Sequence, residues 1–154
     1  MRTPSFVFLA ALAAGACGDG GVQLTENPCN TVPLPLAGDA GGPVLEDVGL
    51  EVQPGEGIIL FATATDPDGS ENLTDVQQSI SVFPDARCQG TPVTLTDDLA
   101  GSGVEETFGT AVSVADNASW YAAIAAASRW PVEVDFTDLD GNRTQGRVLA
   151  RVVR

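Results

Sequence analysis

From Val44 onward the apolar residues of this chain fall on alternate positions, in short runs that Gly, Pro, Asp and Asn interrupt about every ten residues. Period 2 belongs to an extended strand with one buried face, so long amphipathic helices are excluded over most of the chain. Val48, Leu50 and Val52 alternate with Gly49 and Glu51, and Pro54-Gly55-Glu56-Gly57 ends the run. Ile58 to Thr65 reads as a strand with Ile58, Leu60, Ala62 and Ala64 inward. The turn residues Asp66-Pro67-Asp68-Gly69-Ser70 close it. Val76, Gln78, Ile80 and Val82 form the next alternation, closed by Pro84-Asp85. A short strand surrounds Val93 and Leu95, and a longer, less regular one covers Val104 to Val114.

The clearest unit is a hairpin. Val132, Val134 and Phe136 alternate with Glu133, Asp135 and Thr137; after a turn, Val148, Ala150 and Val152 alternate with Arg147, Leu149 and Arg151. The first set of each strand is expected inward. Outward, Glu133 and Asp135 face Arg147 and Arg151, and opposite charges across a strand pair help set register by about 0.2–1 kcal/mol each. A cationic binding stripe is the rival account of these arginines. One segment breaks the period. Asp116 to Ser128 holds six Ala and no Gly or Pro, which favours a short helix capped by Asp116 or Asn117. Trp120, Ile124 and Ala127 share one face of it; a strand over Ser119 to Ile124 is the alternative. The expected fold is all-β, an antiparallel β-sandwich of about seven strands with one short Ala-rich helix.

Composition removes whole classes of chemistry. The chain has seven Arg, no Lys, no His and 21 acidic residues, a formal net charge of −14. Without His there is no imidazole base, and without Lys no Schiff base or Walker A loop. The charge argues against nucleic acid, which needs clustered cations. No Gly-x-Ser-x-Gly elbow occurs. What remains for catalysis is a carboxylate pair, as in glycoside hydrolysis, yet the acids fall on turns and outward strand positions. The chain is therefore expected not to be an enzyme.

The N-terminus reads as an address. One positive residue, Arg2, precedes the apolar run Phe6 to Ala14, far short of the roughly 20 residues of a spanning helix. Ala14-Gly15-Ala16-Cys17 follows, and the segment resembles the bacterial lipoprotein signal, in which the Cys after small residues receives lipid. The resemblance implies a signal peptide over 1–16 and lipidation of Cys17, with a cell-envelope location. Gly18 in place of Asp after the Cys favours the outer membrane. Ala14-Gly15-Ala16 also fits ordinary signal peptidase, so a secreted protein is the alternative. Residues 17–43 are dense in Gly and Pro without a period and are expected as the lipidated end and a flexible tether. Residues 44–154 are the folded domain.

Thr65-Asp66-Pro67-Asp68-Gly69 and Thr137-Asp138-Leu139-Asp140-Gly141-Asn142 share the pattern Thr-Asp-x-Asp-Gly just after a strand. With Trp130-Pro131-Val132-Glu133-Val134-Asp135-Phe136, the domain resembles bacterial extracellular immunoglobulin-like domains of the cadherin-like and PKD-like kind. The resemblance implies a sandwich with a binding, adhesion or spacer role and an unspecified cell-surface partner. Asp66, Asp68, Asp138 and Asp140, with Glu71, are candidate Ca²⁺ ligands, because that ion takes six to eight oxygens. Neither loop has EF-hand spacing, and Asp, Asn and Gly are also what a tight turn uses. No other cofactor is expected. If Cys17 is acylated, Cys29 and Cys88 remain as an even pair in an oxidising compartment and are expected to bridge. The functional expectation is a non-enzymatic envelope lipoprotein presenting an immunoglobulin-like domain. A secreted, calcium-stabilised module and a carboxylate hydrolase are the alternatives.

Overall fold

Each alternating run becomes a strand. The computed structural model describes residues 27–154, so the expected signal peptide, Cys17 and the first part of the tether lie outside the described residues. The elements are β1 (Leu36–Ala37), β2 (Val44–Gln53), β3 (Gly57–Thr65), a 3₁₀ turn (Ser70–Leu73), β4 (Gln77–Val82), β5 (Val93–Asp98), β6 (Glu105–Ser113), α1 (Val114–Ala126), β7 (Arg129–Thr137) and β8 (Arg143–Val153). They form an eight-stranded sheet in the order β5-β4-β7-β8-β2-β3-β6, with β1 paired to β2. The order bends back on itself towards a barrel. Phe108 of β6 and Phe136 of β7, far apart along the sheet, stack with ring centroids 6.2 Å apart.

The inward sets are those that alternation assigns. Val48, Leu50, Ile58, Leu60, Ala62, Ala64, Ile80, Val82, Val132, Val134, Phe136, Val148 and Ala150 are all buried in one core, and Val52 and Val152 pack at its margin. Gln78 takes an inward position too and is fully buried. Its Nε2 donates to the Thr137 carbonyl and its Oε1 accepts from the Thr137 N–H, both at 2.8 Å. The side-chain amide thereby stands in for a peptide group and extends the β4–β7 ladder, which satisfies a polar group that burial would otherwise penalise.

Three features depart from expectation. The pairing of β2 with β8 is parallel, Gly49–Glu51 opposite Arg151–Val153. A contact this short leaves no mark in the hydrophobic period, which is the same for both pairing senses. The helix begins earlier than Asp116. Ser113 is its N-cap, accepting from the Ala115 N–H at 3.1 Å, and Asn117 leaves helical geometry with φ −143° and ψ 57°. The Ala-rich run thus follows a separate first turn. Trp120 and Ile124 are its buried residues, and the strand alternative over Ser119–Ile124 is set aside.

The third departure is the tether. Residues 27–43 lie along the domain. The Val32 N–H donates to the Arg147 carbonyl (2.8 Å), the Asp39 N–H to the Arg143 carbonyl (3.0 Å), and the Arg143 N–H to Asp39 Oδ2 (3.0 Å). Leu36 and Ala37 pair with Leu45 and Val44. Because β2 meets β8 over three residue pairs only, this strap fills the seam that opens between them. Composition reads Gly and Pro as linker, yet Leu34 and Leu36 have apolar surface to pack against the core. Gly38 is required by close approach: a Cβ there would collide with the Arg143 carbonyl and Thr144 Cα. Cys29 and Cys88 are bridged, with Cα atoms 5.5 Å apart and a sequence separation of 59. The bridge fastens the strap to the β4–β5 loop.

Candidate functional site

The two Asp-Gly turns meet at one end of the sheet. The Leu139 N–H donates to the Asn72 carbonyl (2.9 Å), and Asn72 Nδ2 donates to Asp140 Oδ2 (3.2 Å). Asp68, Gly69, Glu71, Asn72, Leu139 and Asp140 surround an open hollow of about 460 Å³. The buried acids point into their own turns instead. Asp66 Oδ1 accepts from the Asp68 N–H (2.8 Å). Asp138 accepts from the Asn142 N–H (2.8 Å) and from Asn142 Nδ2 (2.9 Å). Asp66 Oδ2 is buried with no hydrogen-bond partner. Among the described residues no group of three or more Cys, Asp or Glu side chains is disposed to hold a metal ion. The structure therefore brings the loops of Asp66, Asp68, Asp138 and Asp140 together as two interlocked turns, and the four carboxylates do not converge as a ligand set.

The outer face of the β7–β8 hairpin gathers the arginines. Arg147 Nε binds Glu133 at 2.8 Å, as the alternation suggests. The partner of Asp135 is Arg143, not Arg151. This hydrogen-bonded guanidinium holds the Asp135 carboxyl below the usual carboxylate range and raises Arg143 in turn. Register explains the exchange: Arg151 lies opposite Arg129, so its carboxylates come from other strands, Asp47 at 2.7 Å and Glu105 at 3.7 Å. Two aromatics complete the face. Arg147 lies over Phe83 at 5.2 Å and Arg151 over Phe61 at 4.7 Å. Both rings are nearly covered, 5% and 7% exposed, so Phe83 is not the exposed docking aromatic that a flat binding face would offer. Phe61 was not singled out in the sequence; the signal for it is Gly49, directly opposite in β2, over which the ring lies.

Arg129 differs from the other hairpin arginines in having no ion-pair partner among the described residues. It borders an open hollow of about 470 Å³ whose charged lining is balanced, Glu46 and Asp47 facing Arg129 and Arg151 beside Val32, Leu34 and Leu149.

No protein-family model, curated protein or solved structure matches this chain. The disulfide is a mark of an oxidising, extracytoplasmic compartment. No helix among the described residues is long and apolar enough to cross a membrane.

Proposed function

We propose that the protein is a cell-envelope lipoprotein, anchored through Cys17, whose immunoglobulin-like domain serves as a non-enzymatic presenting or spacing module. The observation that carries this reading is the Cys29–Cys88 bridge, which leaves Cys17 as the unpaired cysteine of the sequence directly after Ala14-Gly15-Ala16. An exported chain with one odd Cys behind an apolar run has lipidation as the reading that uses every cysteine. The immunoglobulin-like part of the reading rests on the β-rich fold, an eight-stranded sheet of largely antiparallel strands. The covered Phe61 and Phe83, and arginines already matched to acids, favour a spacer over an adhesive face.

Mass spectrometry of the mature N-terminus is the direct test. An acylated Cys17 is expected, lost in a Cys17→Ser variant that also leaves the membrane fraction. An unmodified N-terminus, at Cys17 or beyond, overturns the anchor and leaves the secreted alternative.

A further inference from the structure

Resting on the anchor of the lipoprotein reading, which fixes where force enters the domain, we infer that the Cys29–Cys88 bridge is a load bypass. Tension from the tether passes through the two sulfurs into the β4–β5 loop, and the strap that seals the β2–β8 seam carries none of it. The first argument is covalent connectivity. The bridge closes residues 30–87 into a loop. Tension between a point before Cys29 and a point after Cys88 follows the short route through the bridge, so the strap, β2, β3 and β4 lie off that route. The tether precedes Cys29, and the β7–β8 hairpin follows Cys88.

The second argument is the contrast between the two ends of the bridge. The strap's backbone bonds to β8 sit at Val32 and at Asp39, and β1 adds two residue pairs with β2. These fastenings are spread along the strap, so a direct pull would meet them in turn, starting at Val32. The seam over Leu34 and Leu36 would then open where the module is pulled. The receiving end is braced. Asp85 Oδ1 accepts from the Arg87 N–H (2.8 Å) and the Gln89 N–H (3.0 Å), and the Cys88 N–H donates to the Asp85 carbonyl (3.2 Å). One carboxylate thereby holds the loop on both sides of Cys88, and charge strengthens such bonds. The stem of the loop is tied inward: the buried Trp130 Nε1 donates to the Phe83 carbonyl at 3.0 Å. Trp130 belongs to β7, which pairs with β4 on one side and β8 on the other. Load that arrives at Cys88 is therefore shared by the interior of the sheet.

The test pulls single molecules of the chain from Cys17 onward, within which the whole described fold lies. With the bridge formed, Cys17 is the free thiol and is coupled to a surface through a maleimide. An azide-bearing residue replaces Leu139, exposed in the β7–β8 turn, and takes the bead. Under a constant force below that which unfolds the bridged chain, the extension should stay steady. Dithiothreitol added under this force should produce one step of at most about 50 Å, the reach of residues 30–43 at about 3.3–3.6 Å each, while the sheet holds. A Cys29→Ala, Cys88→Ala chain should give the same step on first loading, without reductant. A strap-sized step in the bridged chain overturns the inference. So does the double variant holding its strap until the sheet breaks, or reduction that unfolds the whole domain in one longer extension. Because Cys17 is coupled chemically, the result does not depend on whether cells acylate it, which the N-terminal mass decides.

Discussion

A Cβ at position 49 would fall within the Phe61 ring. Gly49→Ala should therefore cost about 1–3 kcal/mol through displacement of that ring and of Arg151 above it, although the site is on the outer face. Phe136→Ala removes a fully buried aromatic that stacks on Phe108 and should cost about 3–5 kcal/mol. Arg151→Ala loses a ring contact and two exposed ion pairs, about 1 kcal/mol. Urea melts give the ranking; Arg151→Ala proving worse than Phe136→Ala would reverse the assignment of inner and outer faces. Asp135 supplies a pH test. Its folded pKa is depressed, so the stability it contributes is present above the unfolded aspartate range and is lost as pH falls through the folded value. Asp135→Asn should thus lower the urea midpoint at neutral pH, and the difference from wild type should shrink as pH falls below the ordinary aspartate range. A difference that persists there would mean that the carboxylate's charge is not what matters.

Among the elements, the strap and its disulfide separate most cleanly from the rest. Cys29→Ala with Cys88→Ala should lower stability by up to about 4 kcal/mol in the chain-entropy account. Hydrogen exchange should localise the loss: the Val32 and Asp39 amides should exchange faster while β7 stays protected. Uniform acceleration would mean that the strap is an integral strand. Period 2 made the seven long strands legible, and with them the inner faces of β2, β3, β4, β7 and β8, because each of these buries one face. The strap was not legible, since its backbone bonds to β8 and its Leu34–Leu36 contacts depend on a seam made by residues about a hundred positions away. The helix was readable from its alanines, but not its start, because Ser113 belongs in pattern to the preceding strand. For the candidate site, the Glu133–Arg147 pair followed from alternation. The Arg151–Asp47 pair required knowing that β2 neighbours β8, and the pairing of the two acidic turns needed the topology as well.

For the whole molecule, charge sets the balance. The chain carries seven arginines against 21 acids. Salt weakens both the exposed ion pairs and the repulsion among surplus carboxylates. The surplus is larger than the number of pairs, so the thermal midpoint should rise as salt goes from about 10 to about 150 mM. A fall would mean that the arginine pairs dominate. The position of β8 has a consequence for biogenesis. The hairpin of β7 and β8 comes last in the fold, yet β8 lies in the middle of the strand order, between β7 and β2. A nascent chain without it holds two unconnected half-sheets, and it cannot close its core however long it waits. The order of synthesis thus runs against the order of closure: the strand that joins the two halves is the last of the described strands to be made.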